Sequence, residues 1–372
     1  MFMRRTIFTT SALLIVGGLT AIHMRGGQQT SRTLRVIAPA TQDNLTIFPV
    51  VADTIHDTGG FITLDEGIRS GTVVVTEEGA ETGLVRPRPH PPLTPQIWDE
   101  RVPRARGGAE VNRLVLINNS ERPLILLAGE IVTGGKQDRV VGKDRIVPAK
   151  SDPVDLSVFC VEPHRWVGAT SHFGTMNSFM AQPSVRMKAM AKKDQQQVWD
   201  EVAKSRSSVA AAMPAPAAAE MGATSSYAVS MANRAVQSRV EAYAAPLERS
   251  YEKMIAELRA QKAVGAVVAV NGEIVWADIF ANPSLLEKYW PKLIRSYAAE
   301  ALSAREYGPA HSVTVKDAQA FISDLAARHE NVDSEPGVYR NAELVGPDFH
   351  AFVLTSLLRG TGFDVHIAKM EK

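Results

Sequence analysis

The chain predicts an α+β protein: an antiparallel β-sandwich or barrel-like N-terminal sheet, then a helical region, then a C-terminal part of a hairpin plus helices. Three observations carry that prediction. Between Leu34 and Val161, short apolar runs recur between turn residues at strand spacing. After Gln195 the apolar positions recur at steps of three and four instead. Further on, Asn271-Gly272 separates two apolar runs, Val267 to Val270 and Glu273 to Trp276, which is the strongest two-residue hairpin signal.

Residues 1–33 read as an export signal or N-terminal anchor. Arg4 and Arg5 precede a mild apolar run from Ile7 to Ile22, diluted by Thr9, Thr10, Ser11, Gly17, Gly18 and Thr20. The paired arginines ahead of Thr6-Ile7-Phe8 resemble a twin-arginine signal, with the phenylalanine one place late. Crossing a bilayer takes about 20 apolar residues, so the run is short for an anchor. Leu19-Thr20-Ala21 is a poor cleavage site, which leaves an uncleaved tether open. The expected location is the periplasm or cell envelope of a bacterium, with membrane contact only through this segment if it is uncleaved.

Residues 34–170 form the expected β-rich domain, with runs at Leu34 to Ala38, Leu45 to Val51, Thr72 to Val75, Arg113 to Ile117, Leu124 to Leu127, Arg139 to Val147 and Val154 to Val161. Leu114 to Ile117 is apolar on both faces and should be a central strand. Asn118 to Pro123 should turn it into its partner, Leu124 to Leu127. Val85 to Pro103 is rich in proline and reads as an extended surface loop.

Residues 171–225 are expected to hold a helix, Gln195 to Lys204, docked by Val198, Trp199 and Val202. An Ala-rich stretch with Pro214 and Pro216, Val209 to Met221, then reads as a mobile insert or linker. Residues 226–372 are expected to be an α+β part packed on the sheet. Tyr227 to Gln261 reads as one amphipathic helix or a close pair, and Pro246 should kink or break it by removing the donor for the Ala242 carbonyl. The hairpin follows, then helices from Ser284 to about Arg305 and from Val315 to about Arg328. Phe363, Val365 and Ile367 alternate with Asp364, His366 and Ala368 in a terminal half-buried strand, which would turn His366 toward solvent.

With 372 residues and 45% hydrophobic content, the chain can bury a substantial core. Its 41 basic and 40 acidic residues create no overall field toward nucleic acid, so no nucleic-acid partner is expected. The single cysteine, Cys160, excludes an intrachain disulfide and a cysteine zinc site, and the 9 histidines show no paired metal spacing. No metal is predicted. No cofactor and no oligomeric state follow from the sequence.

Chemistry concentrates between Leu126 and Trp166. A turn from Gly129 to Arg139 contains Gly134-Gly135-Lys136-Gln137-Asp138-Arg139, and Cys160-Val161-Glu162-Pro163-His164-Arg165-Trp166 closes the next hydrophobic strand. Adjacent glycines let backbone N–H groups approach an anion, and Lys136 and Arg139 would add charge at short range. It is not a P-loop, because Gln137 follows the lysine where Ser or Thr would reach a metal. Gly134, Gly135, Lys136, Gln137, Arg139, Arg165 and Trp166 are therefore the candidate ligand-binding residues. Glu130, Asp138 and Glu162 are the candidate catalytic carboxylates, with Glu130 and Asp138 open to acting as general acid and base or as metal ligands. Cys160 shares a strand face with Val154, Leu156 and Val158, which points it into the core rather than toward a substrate. Glu162 continues that face and needs a partner, with Arg139 and Arg165 the nearest candidates.

These two segments, the helix carrying Gln197 and Trp199, and the Asn271-Gly272 hairpin running to Phe280 together resemble the ADP-ribosylglycohydrolase- and rhodanese-phosphatase-superfamily-associated protein domain family, formerly a domain of unknown function. The resemblance covers nearly everything from Leu34 to the terminal strand and is most specific in Gly134 to Arg139 and Cys160 to Trp166. The export segment and the Ala/Pro stretch lie outside it. By position, Gly135, Gln137, Arg139, Glu162, Arg165 and Trp166 match the family's characteristic polar residues. The family's name implies association with genes that process ADP-ribose or phosphoryl groups, which is not itself an activity. The first expectation is an exported protein that binds a small anionic ligand, phosphorylated or ADP-ribose-like, at the basic turn. The alternatives are a hydrolase using Glu130, Asp138 or Glu162, and a non-catalytic cell-envelope interaction scaffold in which the polar motif is a structural clasp.

Overall fold

The computed structural model describes residues 32–77, 113–163, 172–258, 262–304 and 312–372. The segment expected to direct export, up to residue 31, the proline-rich stretch expected to be a surface loop, Arg165 and Trp166 lie outside these residues.

Nine antiparallel strands make the larger sheet. Leu34–Val36 and Ala40–Gln42 both pair with Leu45–Ala52. Beyond it come, in order, Ala263–Val270, Glu273–Phe280, Asp364–Glu371, Phe349–Ser356, Tyr339–Val345 and His329–Glu335. Six strands make the second sheet, in the order Phe173–Met180, Glu130–Gly134, Arg139–Val141, Val154–Cys160, Arg113–Asn118, Val73–Glu77. Its two ends meet at a bridge between Thr76 and His172, so the sheet is nearly closed into the expected barrel. A ribbon of three strands, Arg145–Val147, Leu124–Leu126 and Ile62–Thr63, completes the β structure.

Local sequence explains the sharpest features. Asn271 and Gly272 have φ of 52° and 78°, the left-handed pair that a type I′ turn requires. Ala263–Val270 is buried along its whole length because both neighbours pair with it and both sheet faces are covered. One face carries the main core, where Trp276, Phe280, Tyr289, Leu293 and Tyr297 pack with helix Pro283–Ser303. On the other, Phe48, Val50, Val264 and Val267 pack with Ala318 and Ile322 of helix Val315–Ser323. That helix opens with a Thr314–Asp317 capping box and ends well before the expected Arg328. The barrel has its own core of Val73, Leu114, Leu116, Val132 and Phe173.

Several expectations are corrected. Arg113–Asn118 is central as expected, but its partners are Val73–Glu77 and Val154–Cys160. Leu124–Leu126 instead joins the ribbon, because Asn118 ties down the intervening loop by donating to the carbonyls of Arg122 and Pro148. The single run Arg139 to Val147 is two strands, separated at Gly142-Lys143-Asp144. The stretch Val209 to Met221 is not a linker. It is the end of helix Gln195–Ala211 followed by helix Ala215–Gly222, with Val209, Met213, Ala217 and Met221 buried in the main core. Pro214 sits at the N-cap of the second helix and Pro216 in its first turn, where proline fits, and the alanines permit close approach.

Tyr227 to Gln261 is a close pair, Tyr227–Ala232 and Arg234–Leu258, and the break falls at Asn233 rather than Pro246. Arg295 bridges the Pro246 position by holding Glu241 on one side and Glu248 on the other. The three strands from His329 to Ser356 had no counterpart in the apolar pattern. The outermost, His329–Glu335, is exposed and almost wholly polar.

If Met221 belongs to the core, truncating it leaves a cavity. Met221→Ala should lower stability by about 2–5 kcal/mol in urea unfolding, where a mobile linker would show almost no change.

Candidate functional site

At the basic turn, the backbone does form an anion cradle, but the protein's own carboxylates fill it. The Gly134 N–H donates to Asp138 Oδ1 at 3.1 Å, and the Lys136 N–H donates to Glu77 Oε1 at 3.0 Å. The Asp138 N–H donates to Glu162 Oε2 at 3.4 Å, and the Gln137 amide donates to the Glu162 carbonyl at 3.0 Å. The structure thus brings together Gly134, Gly135, Lys136, Gln137, Asp138, Arg139 and Glu162. It adds Glu77, from the end of its strand, which sequence reasoning missed. A buried glutamate closing an apolar strand was the available signal.

Gly135, at φ of 54°, is required twice over. A methyl group there would sit 2.2 Å from the Phe173 ring and 2.7 Å from Glu77 Oε1.

Around this turn the packing is rigid. Ser226 donates to Asp138 Oδ2 at 3.1 Å while accepting the Val229 N–H that caps helix Tyr227–Ala232. Gln195 clamps Cys160 like an extra strand, accepting its N–H and donating to its carbonyl, both at 2.9 Å. Cys160 is fully buried as expected, and burial pushes its thiol up, so it is not an activated nucleophile. Arg139 is buried, and loss of water lowers its pKa against the opposing fields of Cys160, Glu77, Asp138 and Glu162. Val198 and Val202, both fully buried, dock the Gln195–Ala211 helix, and Trp199 is half-buried beside them.

Glu130 is not part of this group. At the other end of its strand it accepts the Leu127 N–H at 2.9 Å and the Lys292 ammonium at 2.7 Å. Lys292 reaches Asp65 at 2.6 Å as well. Burial, with the neighbouring Asp65 charge adding to it, raises the Glu130 pKa against the pull of Lys292. For Lys292 the fields of Glu130 and Asp65 outweigh burial and keep it protonated.

A third buried cluster lies between barrel and sheet, and it overturns the solvent-facing expectation for His366. The His366 side chain is fully buried, with Nδ1 2.6 Å from Asp144 Oδ2 and Nε2 3.1 Å from Asp278 Oδ1. Strict alternation fails because the Asp364–Glu371 strand lies inside the sheet with both faces covered. Arg186 makes a bidentate pair with Asp278, 2.8 Å on each side, and lies 4.3 Å over the Trp276 ring. Tyr297 donates to Asp278 Oδ2 at 2.5 Å, and Asp144 Oδ1 accepts the Ala128 N–H at 2.8 Å. Burial opposes the charge on His366, yet the Asp144 and Asp278 carboxylates prevail and push its pKa up to about 9. Asp278 is itself held far below the ordinary range, Arg186 outweighing burial. An aspartate inside the apolar run Trp276 to Phe280 was the sequence signal for this cluster.

Among the described residues, no group of three or more His, Cys, Asp or Glu side chains is placed to hold a metal ion. What the fold and its polar clusters define is an α+β protein in which a small barrel is bolted to a large antiparallel sheet by buried ion pairs. The chain belongs to the family of the ARG and Rhodanese-Phosphatase-superfamily-associated Protein domain, which matches residues 33–369. No curated protein and no solved structure matches it.

The His366 cluster makes stability depend on pH. Its folded pKa of about 9 lies above the ordinary value of about 6.5, so its contribution is complete below pH 6.5 and lost as pH rises through 9. At roughly 1.4 kcal/mol per pKa unit, that contribution is about 3 kcal/mol. Lys369, which burial holds down to about 8, acts with the opposite sign above that pH. The difference in unfolding free energy between the native chain and His366→Gln should therefore shrink between pH 6.5 and 9. A difference independent of pH would show His366 to be neutral in the folded state.

Proposed function

We propose that this chain is an exported, non-catalytic protein that binds a small polar ligand at the Gly134 to Arg139 turn. One observation carries the reading: in a turn with buried polar side chains and the half-buried Lys136, backbone N–H groups are held by side-chain carboxylates rather than by other backbone, in the places an anion would take. Asp138 and Glu162 accept the turn's own N–H groups and Glu130 is paired with Lys292, so all three carboxylates hold structure, which favours binding over hydrolysis. A phosphorylated or ADP-ribose-like anion would enter by displacing Glu77 or Asp138 from the N–H groups of Lys136 or Gly134.

Calorimetric titration with ADP-ribose, a phosphosugar and inorganic phosphate tests the reading. Saturable binding of one of them, weakened by Lys136→Ala in a protein of unchanged melting temperature, is the expected result. If none binds, the turn is only a structural clasp.

Export rests on Arg4, Arg5 and the mild apolar run behind them. Among the described residues no helix is long and apolar enough to cross a membrane. Replacing both arginines by lysine should strand the protein in the cytoplasm, as read by cell fractionation. Unchanged export would point to a general secretory signal or an anchor, and an intact N-terminus on the exported protein would select the anchor.

A further inference from the structure

The two edges of the large sheet are finished differently. At one, the Gln319 side chain stands in for a further strand beside Leu34–Val36: its Oε1 accepts the Val36 N–H at 2.8 Å, and its amide donates to the Leu34 carbonyl at 3.1 Å. At the other, His329–Glu335 has Tyr339–Val345 as its only strand neighbour among the described residues, and six of its seven residues are exposed. An edge left in this state offers backbone donors and acceptors to another extended chain.

Charge does not keep a second strand away. Glu330 pairs with Arg340, Asp333 with Lys143 and Glu335 with Arg145, so the three carboxylates that would repel a like strand are neutralised within the chain.

The strand is also complementary to itself. Laid antiparallel on a second copy over its full length, His329 faces Glu335, Glu330 faces Ser334, Asn331 faces Asp333 and Val332 faces Val332. Every polar pair joins an N–H or O–H donor to a carboxylate, and each occurs twice about a two-fold axis through Val332. The carboxylates have room for those bonds. Glu335 gives Oε2 to Arg145 and Asp333 gives Oδ2 to Lys143, which leaves the second oxygen of each for the other copy. Val332, 50% exposed, is the one large hydrophobic side chain of the strand, and self-pairing covers it. Slipping the register by one residue in either direction sets Glu330 against Asp333 or Glu335, carboxylate facing carboxylate.

We infer that two copies of this chain pair edge to edge through His329–Glu335, antiparallel and in full register, so that the large sheet runs on from one protomer into the other. The inference is independent of ligand binding at the basic turn.

Sedimentation velocity of the full chain over a range of concentrations should show a reversible monomer–dimer equilibrium. Val332→Lys sets two ammonium groups against each other on the two-fold axis and should weaken the dimer by about tenfold, with the melting temperature of the monomer unchanged because the side chain is exposed there. Geometry is read by cross-linking. In Val332→Cys the two thiols face each other across neighbouring strands, within reach of a disulfide, so oxidation by diamide should give a covalent dimer. Ser334→Cys, which faces Glu330 rather than itself, should give none. A chain that stays monomeric at every concentration overturns the inference. So does a dimer that survives Val332→Lys and is not trapped by Val332→Cys, since its interface then lies elsewhere. Should the chain be monomeric and its His329–Glu335 amides gain protection from hydrogen exchange only when an unrelated extended peptide is added, the edge belongs to a foreign strand and the inference fails as well.

Discussion

The imidazolium of His366, held between Asp144 and Asp278, is the point through which the two halves of the molecule are joined. Asp144 belongs to the turn between the barrel strand Arg139–Val141 and the ribbon strand Arg145–Val147, while Asp278 and His366 stand on neighbouring strands of the large sheet. Arg186 then ties Asp278 to the Ala128 carbonyl, and Tyr297 adds the long helix. Four alternating charges with every partner present are tolerable without water, whereas losing any one leaves an uncompensated charge at a cost of about 3–5 kcal/mol. That interdependence specifies one docking geometry for barrel and sheet, where apolar packing alone would accept several.

The same economy governs the basic turn. Oxygen atoms of Glu77, Asp138 and Glu162 stand where the oxygens of a bound anion would stand, so the loop keeps its shape without a guest. A similar arrangement recurs at Gln182, whose amide donates to Glu300, Ser184 and Ser303 while its oxygen accepts from Ser205 and Tyr227.

Much of the architecture was legible locally. The Asn271-Gly272 hairpin, the doubly buried Leu114 to Ile117 strand, the inward Cys160 and the barrel-like sheet follow from turn chemistry and periodicity. The failures share a cause. Alternation placed His366 outside because it presumes one wet face, and this strand has none. Composition made Val209 to Met221 a linker because small side chains look unable to build a core, although they let two helices approach closely. The polar strand His329–Glu335 carries no apolar pattern to detect, being held by pairing with Tyr339–Val345 and by ion pairs of Asp333 with Lys143 and of Glu335 with Arg145. At the site, the clustering of Gly134 to Arg139 with Glu162 could be read from their density. For Glu77 the only signal was its place at the end of an apolar strand, since its approach to the turn depends on the barrel closing.

Leu45–Ala52 finds its neighbour in Ala263–Val270, more than half the chain away, and Asp364–Glu371 fills the gap between Glu273–Phe280 and Phe349–Ser356. The larger sheet is therefore assembled from strands far apart in the chain. A ribosome delivers the first of these strands long before the last, and until the last arrives the hairpin's outer edge lies bare, its hydrogen-bonding groups open to any other extended chain. Such a sheet folds slowly, since distant pairings must form before they are rewarded. During that interval the Glu273–Phe280 edge is where a chaperone would have most to protect.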